Sequence, residues 1–254
     1  MRVALIQTSL EWEDPVANRA HFGQLINTLD GGTDLIVLPE MFTTGFTMNP
    51  EHIPSEEAHL TLEWMREIVA RTGSALAGSL IFPEAGKYFN RLVFMLPDGT
   101  YEYYDKRHTF TLAGEDKVYQ RGAERKTVRY MGLTFSLQIC YDLRFPVWSR
   151  NTTDYDVLLF VANWPDTRIG AWDTLLKARA IENMSYVLGV NRIGSDSNGL
   201  RYQGHSGVYD ALGERLVFSD KEEILYATLD KNTVDQARTT LKFLQDRDAF
   251  TLES

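Results

Sequence analysis

The chain contains a single cysteine, Cys140, which follows the apolar run SLQI at the predicted end of a strand. A lone thiol cannot form a disulfide within the chain, so Cys140 is either a small buried core residue or a nucleophile. Because the thiolate is the reactive form, a nucleophilic cysteine needs a nearby base or a positive field. Cys140 therefore requires partner side chains from other parts of the sequence.

Three further polar residues follow predicted strands in the same way. Glu40 comes after LIVLP, Lys106 after YEYYD and Asn163 after LLFVA. Active sites in open α/β sheets form beyond the carboxyl ends of strands, so these positions favour a common site. Each residue also has a simpler interpretation, because loop charges are usually solvated and asparagine often serves a turn. Periodicity alone does not bring the four side chains together.

Together, Glu40, Lys106 and Cys140 could hydrolyse an amide. A desolvated carboxylate at Glu40 could accept the thiol proton and return it to a leaving amine. The Lys106 ammonium and the backbone N–H of Tyr141 could stabilise the oxyanion that forms on the attacked carbonyl. The histidines show no metal-ligand spacing with Cys140, so the sequence predicts neither a metal nor another cofactor.

Alternating strand and helix signals must position these residues. Residues 3–7 and the run DLIVLPE predict strands, and Asp14 followed by proline predicts the start of a helix that extends to about Leu29. A second helix is predicted from Ser55, with Gly73 just past its end. This opening favours a layered α/β fold.

The rest of the chain predicts mainly strands. The segments that predict them are ALAGSLIF, RLVFMLP, TYEYYDK, TVRYMGLTFSLQIC, DVLLFVANW, SYVLGVNRIG and EEILYATLD. Helices are predicted over residues 172–183 and from 232 to about 244. No repeat, low-complexity segment or long linker divides the sequence, so a single domain over 1–254 is expected.

Composition narrows the class of protein. The chain has 254 residues, 44% hydrophobic and 24% charged, which is typical of a globular protein. Its formal net charge of −9 argues against binding to nucleic acid or to an anionic membrane surface. The N-terminal apolar stretch is too short for a signal peptide, and no segment approaches the roughly 18 apolar residues of a membrane span. We therefore expect a cytoplasmic protein with a reduced thiol.

The segments around these residues resemble the nitrilase (carbon–nitrogen hydrolase) superfamily, whose members use a Glu, Lys and Cys triad. The resemblance is carried by LPEMFTTGF, YDKRHTF and LQICYDLRFPVWSR in this order, and by NRLVFMLPDG, AGEDKVYQRG and NWPDTRIGAWDTLLKARAIENMSYVLGVNRIG, so it covers essentially the whole chain. It implies Glu40 as general base, Lys106 as oxyanion stabiliser and Cys140 as nucleophile. It also implies that Glu115 is a second glutamate, which helps to orient the substrate and the lysine.

The finer pattern is similar to the bacterial omega-amidases, which hydrolyse the distal amide of 2-oxoacid monoamides such as 2-oxoglutaramate and 2-oxosuccinamate. Val147 stands where many amidases have a glutamate, and RYQGHSGVYDALG fits the same branch. Thr109 departs from the pattern, because related enzymes commonly place leucine there. The resemblance also implies a four-layer αββα sandwich and a homodimer, with residues from about 232 to 254 crossing to the partner subunit.

A 2-oxoacid substrate carries a carboxylate, so its pocket needs a cation or a cluster of N–H groups. Arg144 and Arg168 are the candidates, although either could instead form a structural ion pair. Asn163 is a further candidate for contact with the substrate. Phe46 and Trp164 are close in sequence to the site residues and could wall the pocket, although aromatic residues are more often part of the core.

Other functions are open at this point. The protein could be an amidase or N-carbamoyl hydrolase for another small carboxylate, or a catalytically silent interaction protein on the same scaffold. Cys140 could also be a redox sensor, although the chain has no resolving cysteine. The expected reaction passes through a thioester on Cys140 and needs only a small-molecule amide and water as partners.

Overall fold

The computed structural model describes residues 1–252, which form two six-stranded sheets, a two-stranded hairpin and five α-helices. The strands are β1 (Arg2–Gln7), β2 (Leu35–Val37), β3 (Ala75–Glu84), β4 (Lys87–Met95), β5 (Tyr101–Asp105), β6 (Thr127–Tyr130), β7 (Leu133–Ile139), β8 (Val157–Ala162), β9 (Tyr186–Asn191), β10 (Ile193–Ser195), β11 (Arg201–Gln203), β12 (Ser206–Tyr209), β13 (Arg215–Ser219) and β14 (Glu223–Thr228). The helices are α1 (Pro15–Asn27), α2 (Glu57–Thr72), α3 (Pro146–Ser149), α4 (Ile169–Asn183) and α5 (Lys231–Leu241).

Each large sheet has parallel strands at its centre and antiparallel strands at its edges. The first sheet has the order β14-β1-β2-β3-β4-β5, and β1, β2 and β3 are parallel. The second has the order β13-β12-β9-β8-β7-β6, and β7, β8 and β9 are parallel. Because β4 is antiparallel to both β3 and β5, β5 runs in the same direction as β2 and β3.

The two sheets pack face to face, with helices on the outside. Between the sheets, the rings of Phe94 on β4 and Phe135 on β7 have their centroids 5.3 Å apart. The helices α1 and α2 cover the other face of the first sheet in a separate apolar cluster. On the second sheet, a Cβ at Gly189 of β9 would lie only 2.5 Å from Leu176 of α4, so this glycine allows the helix to pack closely. The four layers are those of the αββα sandwich that the resemblance implies.

The helix predictions are confirmed, with shifted ends. Asp14 caps α1 as predicted, because its Oδ1 accepts from the N–H of Ala17 at 2.9 Å. The helix ends at Asn27 rather than near Leu29, α2 begins at Glu57 rather than Ser55, and α4 begins at Ile169, three residues before the predicted start. Val16, an apolar residue in the first turn of α1, is 63% exposed, because the buried face of the helix is formed by Phe22 and Ile26.

The C-terminal segment is attached to the second sheet. Arg238 of α5 donates from Nε to the carbonyl of Met184 at 2.8 Å and pairs with Asp156 at 3.1 Å. A short 3₁₀ turn, Phe243–Asp246, follows α5. The last two residues of the segment predicted to reach a partner lie outside the described residues, and that packing stays a prediction.

No helix within residues 1–252 is long and apolar enough to cross a membrane.

Candidate active site

Four predicted site residues lie at one edge of the sandwich. Glu40 follows β2, and Lys106 directly follows β5, which runs in the same direction. Cys140 and Asn163 directly follow the parallel strands β7 and β8 of the second sheet. The two sheets meet at these ends: Nζ of Lys106 lies 2.8 Å from Oε1 of Glu40, and the N–H of Asn163 donates to Oε2 of Glu40 at 2.8 Å. The expected convergence is therefore present.

Two residues at this edge have backbone conformations that are unusual for side chains other than glycine. Cys140 has a φ of 43°, and Met41, directly after Glu40, also has a φ of 43°. Left-handed backbone is unfavourable for such residues and tends to occur at functional sites, where the surrounding structure maintains it. At Cys140 it makes a sharp turn between β7 and the 3₁₀ turn Cys140–Arg144. This turn places the thiol at the end of the strand, facing the cavity.

Behind the thiol is a buried cluster of charges. Lys106 lies 2.8 Å from Oε1 of Glu40 and 2.9 Å from Oε2 of Glu115, and all three side chains are excluded from solvent. Burial alone would lower the pKa of Lys106, but the charges of Glu115 and Glu40 outweigh burial and raise it above its ordinary value. Burial raises the pKa of Glu115, and the positive charge of Lys106 opposes this rise. Lys106 therefore remains an ammonium, fixed between two carboxyl groups.

A second buried network connects the Lys106 segment to the Cys140 turn. The carboxylate of Asp142 accepts from the Tyr104 hydroxyl at 2.8 Å and from the N–H of Ile139 at 3.0 Å. It also accepts from the backbone N–H of His108 at 3.0 Å. These bonds cross from β5 and the residues after it to the end of β7. They connect the residues on either side of Lys106 to the turn that carries Cys140.

The thiol of Cys140 is held in its neutral form. Burial raises its pKa well above the ordinary value, the negative charge of Glu40 raises it further, and the charge of Lys106 opposes the shift. The thiol itself donates to the backbone carbonyl of Asn163, at 3.9 Å between Sγ and the oxygen. The site therefore holds a thiol beside a carboxyl group rather than a preformed thiolate. Attack on a carbonyl requires that the proton leave sulfur during the reaction.

We expect Cys140 to stay protonated at about pH 8.5, where an ordinary free cysteine is half ionised. Since the chain has one cysteine, the ultraviolet absorbance difference between the protein and the Cys140→Ser variant reports its thiolate alone. The variant keeps every tyrosine, so tyrosine ionisation cancels in the difference. The thiolate signal should appear only at a higher pH. A full signal at neutral pH would show that the site stabilises the thiolate instead.

A cavity of about 320 Å³ opens above the thiol. Lys106, Cys140 and Tyr141 line it, and Phe46 and Trp164 form aromatic walls, as the sequence predicted. Arg144, Arg168 and Asn163 also line the cavity. Glu40 and Glu115 lie behind it, fully buried, and contact Lys106. The cavity is large enough for a small amide, whose carbonyl carbon could reach the sulfur.

The two candidate arginines are placed on aromatic rings. The guanidinium of Arg144 lies 4.8 Å from the ring centroid of Trp164, and that of Arg168 lies 5.1 Å from the centroid of Phe110. Among residues 1–252, neither arginine has a carboxylate within 4.0 Å. The alternative of a structural ion pair is therefore wrong for this part of the chain. Both arginines line the cavity, and neither is paired with a carboxylate of the described chain.

Asn163 contacts Glu40 through both of its N–H donors. Its backbone N–H donates to Oε2 of Glu40 at 2.8 Å, and its side-chain Nδ2 donates to the Glu40 carbonyl at 2.6 Å. The sequence predicted contact with the substrate. In the structure its backbone N–H orients the Glu40 carboxylate and its side chain holds the Glu40 backbone, while the residue also forms part of the cavity wall.

The two unusual positions of the finer pattern lie at the periphery. Thr109 is buried, and its hydroxyl accepts from Nε of Arg121 at 3.1 Å, a polar contact that leucine could not make. Val147 is exposed on α3 and is not one of the described residues that line the cavity. Among the described residues, neither side chain forms a hydrogen bond with Glu40, Lys106 or Glu115.

Sequence reasoning missed residues on both sides of the site. Asn90 of β4 donates from Nδ2 to Oε1 of Glu40 at 2.7 Å. Trp12 and Tyr202 form the outer wall of the cavity, and the buried guanidinium of Arg192 lies 4.8 Å from the ring centroid of Tyr202. The only signal for Asn90 was a polar residue inside an apolar strand.

Across the described chain, no group of three His, Cys, Asp or Glu side chains is arranged to hold a metal ion.

Comparison with known proteins identifies relatives over the full length. The family model for "Carbon-nitrogen hydrolase" matches residues 2–239. Omega-amidase YafV of Yersinia enterocolitica is 44% identical over 254 residues, covering 99% of this chain and 98% of that protein. The 2-oxoglutaramate amidase of Bacillus subtilis (strain 168) is 29% identical over 250 residues, covering 96% of each. The crystal structure of XC1258 from Xanthomonas campestris, a CN-hydrolase superfamily protein with an arsenic adduct in the active site, has a TM-score of 0.96 and 41% identity, covering 100% of this chain and 99% of that one.

Proposed function

The chain belongs to the carbon–nitrogen hydrolase family, and we propose that this hydrolase is an omega-amidase. It cleaves the distal amide of small 2-oxoacid monoamides, such as 2-oxoglutaramate and 2-oxosuccinamate, to the dicarboxylate and ammonia. One observation carries the proposal: a buried Glu40–Lys106–Cys140 cluster lies at the base of a cavity lined by two arginines that form no ion pair with any residue of 1–252. The names of the relatives at 44% and 29% identity support the same substrate class.

The first half of the proposed reaction forms a thioester. Glu40 accepts the proton of Cys140 as the sulfur attacks the amide carbonyl carbon. The Lys106 ammonium and the N–H of Tyr141 stabilise the negative charge that develops on the carbonyl oxygen. The raised pKa of the Cys140 thiol supports this order of events, because the thiol must lose its proton to a neighbouring base. Glu40 then gives the proton to the departing ammonia.

The second half hydrolyses the thioester. A water molecule enters from the cavity, Glu40 accepts one of its protons, and the oxygen attacks the thioester carbonyl carbon. The same oxyanion donors act again, the carbon–sulfur bond breaks, and the thiol regains its proton. Glu115 acts through Lys106: both of its oxygens lie within 3.0 Å of the ammonium and fix its position. These steps use only side chains and backbone of the protein, the amide and water.

Charge at the cavity wall supports a 2-oxoacid rather than an amino acid. Arg144 and Arg168 are placed to bind the substrate carboxylate. Asp196 is the one carboxylate among the described residues that line the cavity. Its oxygens already accept from the N–H groups of Asn198 and Leu200 at 2.9 and 3.0 Å and from the Tyr202 hydroxyl at 2.8 Å. The α-ammonium of glutamine would therefore meet two cations and, among the described lining residues, a single carboxylate that already accepts three hydrogen bonds, whereas a 2-oxo group carries no charge.

The proposal is tested by ammonia release from a panel of 2-oxoglutaramate, 2-oxosuccinamate, glutamine and asparagine. We expect kcat/KM for the oxoacid amides to exceed that for the amino acids by at least about 100-fold, because a like charge near the arginines costs several kcal/mol. A preference for glutamine would contradict the proposal. Carbon dioxide released with the ammonia from carbamoyl substrates would indicate an N-carbamoyl hydrolase instead.

The same panel applied to Arg144→Leu and Arg168→Leu separates the two arginines. Removal of the arginine that binds the carboxylate should raise KM for 2-oxoglutaramate about 10- to 100-fold, since a charge-assisted hydrogen bond contributes about 1.5–3 kcal/mol. Amides without a carboxylate serve as the matched control, because their KM should not change. An unchanged KM in both variants would exclude these arginines as the carboxylate site.

We also propose that the protein is a cytoplasmic homodimer of single-domain subunits. The thiol required by the reaction stays reduced in the cytoplasm. Ile181 on α4 and Leu212 in the turn between β12 and β13 are large apolar side chains that are about half exposed. They supply apolar area for a partner on the outer layer of the second sheet, near the C-terminal segment that the resemblance assigns to the dimer.

A further inference from the structure

The two carboxylate oxygens of Glu40 have different surroundings. Oε1 accepts from Nζ of Lys106 at 2.8 Å and from Nδ2 of Asn90 at 2.7 Å. Within the described chain, Oε2 accepts from one donor, the backbone N–H of Asn163 at 2.8 Å. A carboxylate oxygen has two lone pairs, so Oε1 is fully occupied and Oε2 has one lone pair free.

We propose that Asn90 is a positioning residue: it occupies Oε1 of Glu40 and thereby makes Oε2 the oxygen that exchanges a proton with Cys140. The inference rests on the proposed role of Glu40 as base. In the forward step the S–H bond breaks, an O–H bond forms at Oε2, and the electron pair stays on sulfur to attack the carbonyl carbon. The proton later leaves Oε2 for ammonia.

The orientation of the Asn90 amide supports this role. Its Nδ2 lies 2.7 Å from Glu40 and 3.3 Å from Glu115, so one amide group donates to two carboxylates. Its Oδ1 is buried and has no hydrogen-bond partner among residues 1–252. Exchange of the amide nitrogen and oxygen would direct the oxygen at two negative groups. The carboxylates therefore fix the amide as a donor, and the orphaned oxygen is the cost of that arrangement.

Asn90 also fixes the lysine. Its backbone carbonyl accepts from the N–H of Lys106 at 3.0 Å, so the same residue contacts the backbone of Lys106 and the side chains of Glu40 and Glu115. Asn90 does not line the cavity and acts only through these groups. It should therefore affect kcat and its pH dependence more than KM.

The test is Asn90→Leu, which replaces the side chain with one of equal heavy-atom number and no donor. We expect kcat for 2-oxoglutaramate to fall on the order of 10- to 100-fold. This is the change in rate that corresponds to the free energy of one hydrogen bond to a charged group. KM should be nearly unchanged. The acid limb of the pH profile of kcat should move to higher pH, because the ionised carboxylate loses a hydrogen-bond donor.

Asn18→Leu is the matched control. Asn18 is also fully buried and donates to the carbonyls of Glu11 and Thr43, both at 2.7 Å, but it contacts no carboxylate. This variant should be less stable and keep the wild-type pH profile. Asn90→Ser supplies a hydroxyl donor in place of the amide, so its kcat and its pH profile should lie between those of the wild type and Asn90→Leu. If Asn90→Leu does not fold, Asn90→Ser is the test variant.

A readout without substrate separates this inference from the proposed function. The rate at which iodoacetamide alkylates Cys140, followed by intact mass, also depends on transfer of the thiol proton. If the wild type releases no ammonia from any amide, the proposed function fails. The role of Asn90 is then still tested by the acid limb of the alkylation rate, which should move to higher pH in Asn90→Leu. The same pH dependence in the wild type and both Asn90 variants would overturn the inference.

Discussion

Replacement of Cys140 by alanine should abolish amide hydrolysis. The sequence contains no other thiol, and the proposed reaction cannot begin without an acyl acceptor at this position. Loss of the nucleophile from a catalytic triad removes at least about 10⁴-fold of the rate, so the residual ammonia release should be close to background. Alanine is smaller and should fit the turn at Cys140, so the variant should fold.

The Cys140→Ser variant is the matched control for shape. Serine preserves the size of the side chain, but its hydroxyl is a much weaker acid than a thiol, so Glu40 should not be able to activate it. Both variants should have wild-type circular dichroism and thermal unfolding near that of the parent. Iodoacetamide should add one group to the wild type and none to either variant. Near-native ammonia release by Cys140→Ala would remove the basis of the proposed function.

Local sequence pattern predicted four residues of the site but not that they lie close together. Glu40, Lys106, Cys140 and Asn163 could be recognised because each follows a predicted strand, and the end of a strand is a local property. Their convergence depends on how two sheets pack, because two of the residues come from each sheet. The family resemblance implied that arrangement, and the structure supplies its distances.

Other features of the site depend on contacts between distant segments. The structural ion-pair alternative for Arg144 and Arg168 could be decided only once their neighbours were known. Asn90 lies in the middle of β4, where a polar residue in an apolar run has many explanations. Tyr202 lines the cavity beside the buried Arg192, whose guanidinium donates to the carbonyl of Leu10, 182 residues away in the sequence. None of these contacts follows from periodicity or composition.

Helix ends were missed for a local reason. The prediction for α1 relied on apolar spacing and extended the helix to the last apolar residue, but Thr28 interrupts it by donating from its hydroxyl to the carbonyl of Leu25 at 2.7 Å. Side-chain bonds of this kind compete with the helical backbone pattern. Such small shifts do not alter the site, because the site residues follow strands.

Replacement of Lys106 by methionine should cost both activity and stability. Loss of one well-placed oxyanion donor raises the barrier by about 2.7–4 kcal/mol, which lowers kcat on the order of 100- to 1,000-fold. The same substitution leaves Glu40 and Glu115 buried side by side without their cation, and removal of one partner from a buried pair destabilises by about 3–5 kcal/mol. A merely peripheral lysine would produce neither effect.

The loss of stability in Lys106→Met should depend on pH with a definite sign. Burial already raises the pKa of Glu115, and the removal of Lys106 takes away the charge that opposes this rise. A carboxyl group whose pKa is higher in the folded than in the unfolded protein binds its proton more tightly when folded. The folded state is then favoured at low pH and loses that advantage as pH rises through the folded-state pKa. Urea unfolding should therefore show a smaller deficit at about pH 5 than at about pH 8.

The double variant Lys106→Met/Glu115→Gln distinguishes catalysis from folding. Glutamine removes one of the two unpaired carboxylates, so most of the lost stability and its pH dependence should return. Activity should not return, because the oxyanion still lacks the ammonium donor. Recovery of ammonia release together with stability would mean that Lys106 only maintains the fold. Recovery of stability without activity would instead assign the ammonium a direct part in the reaction.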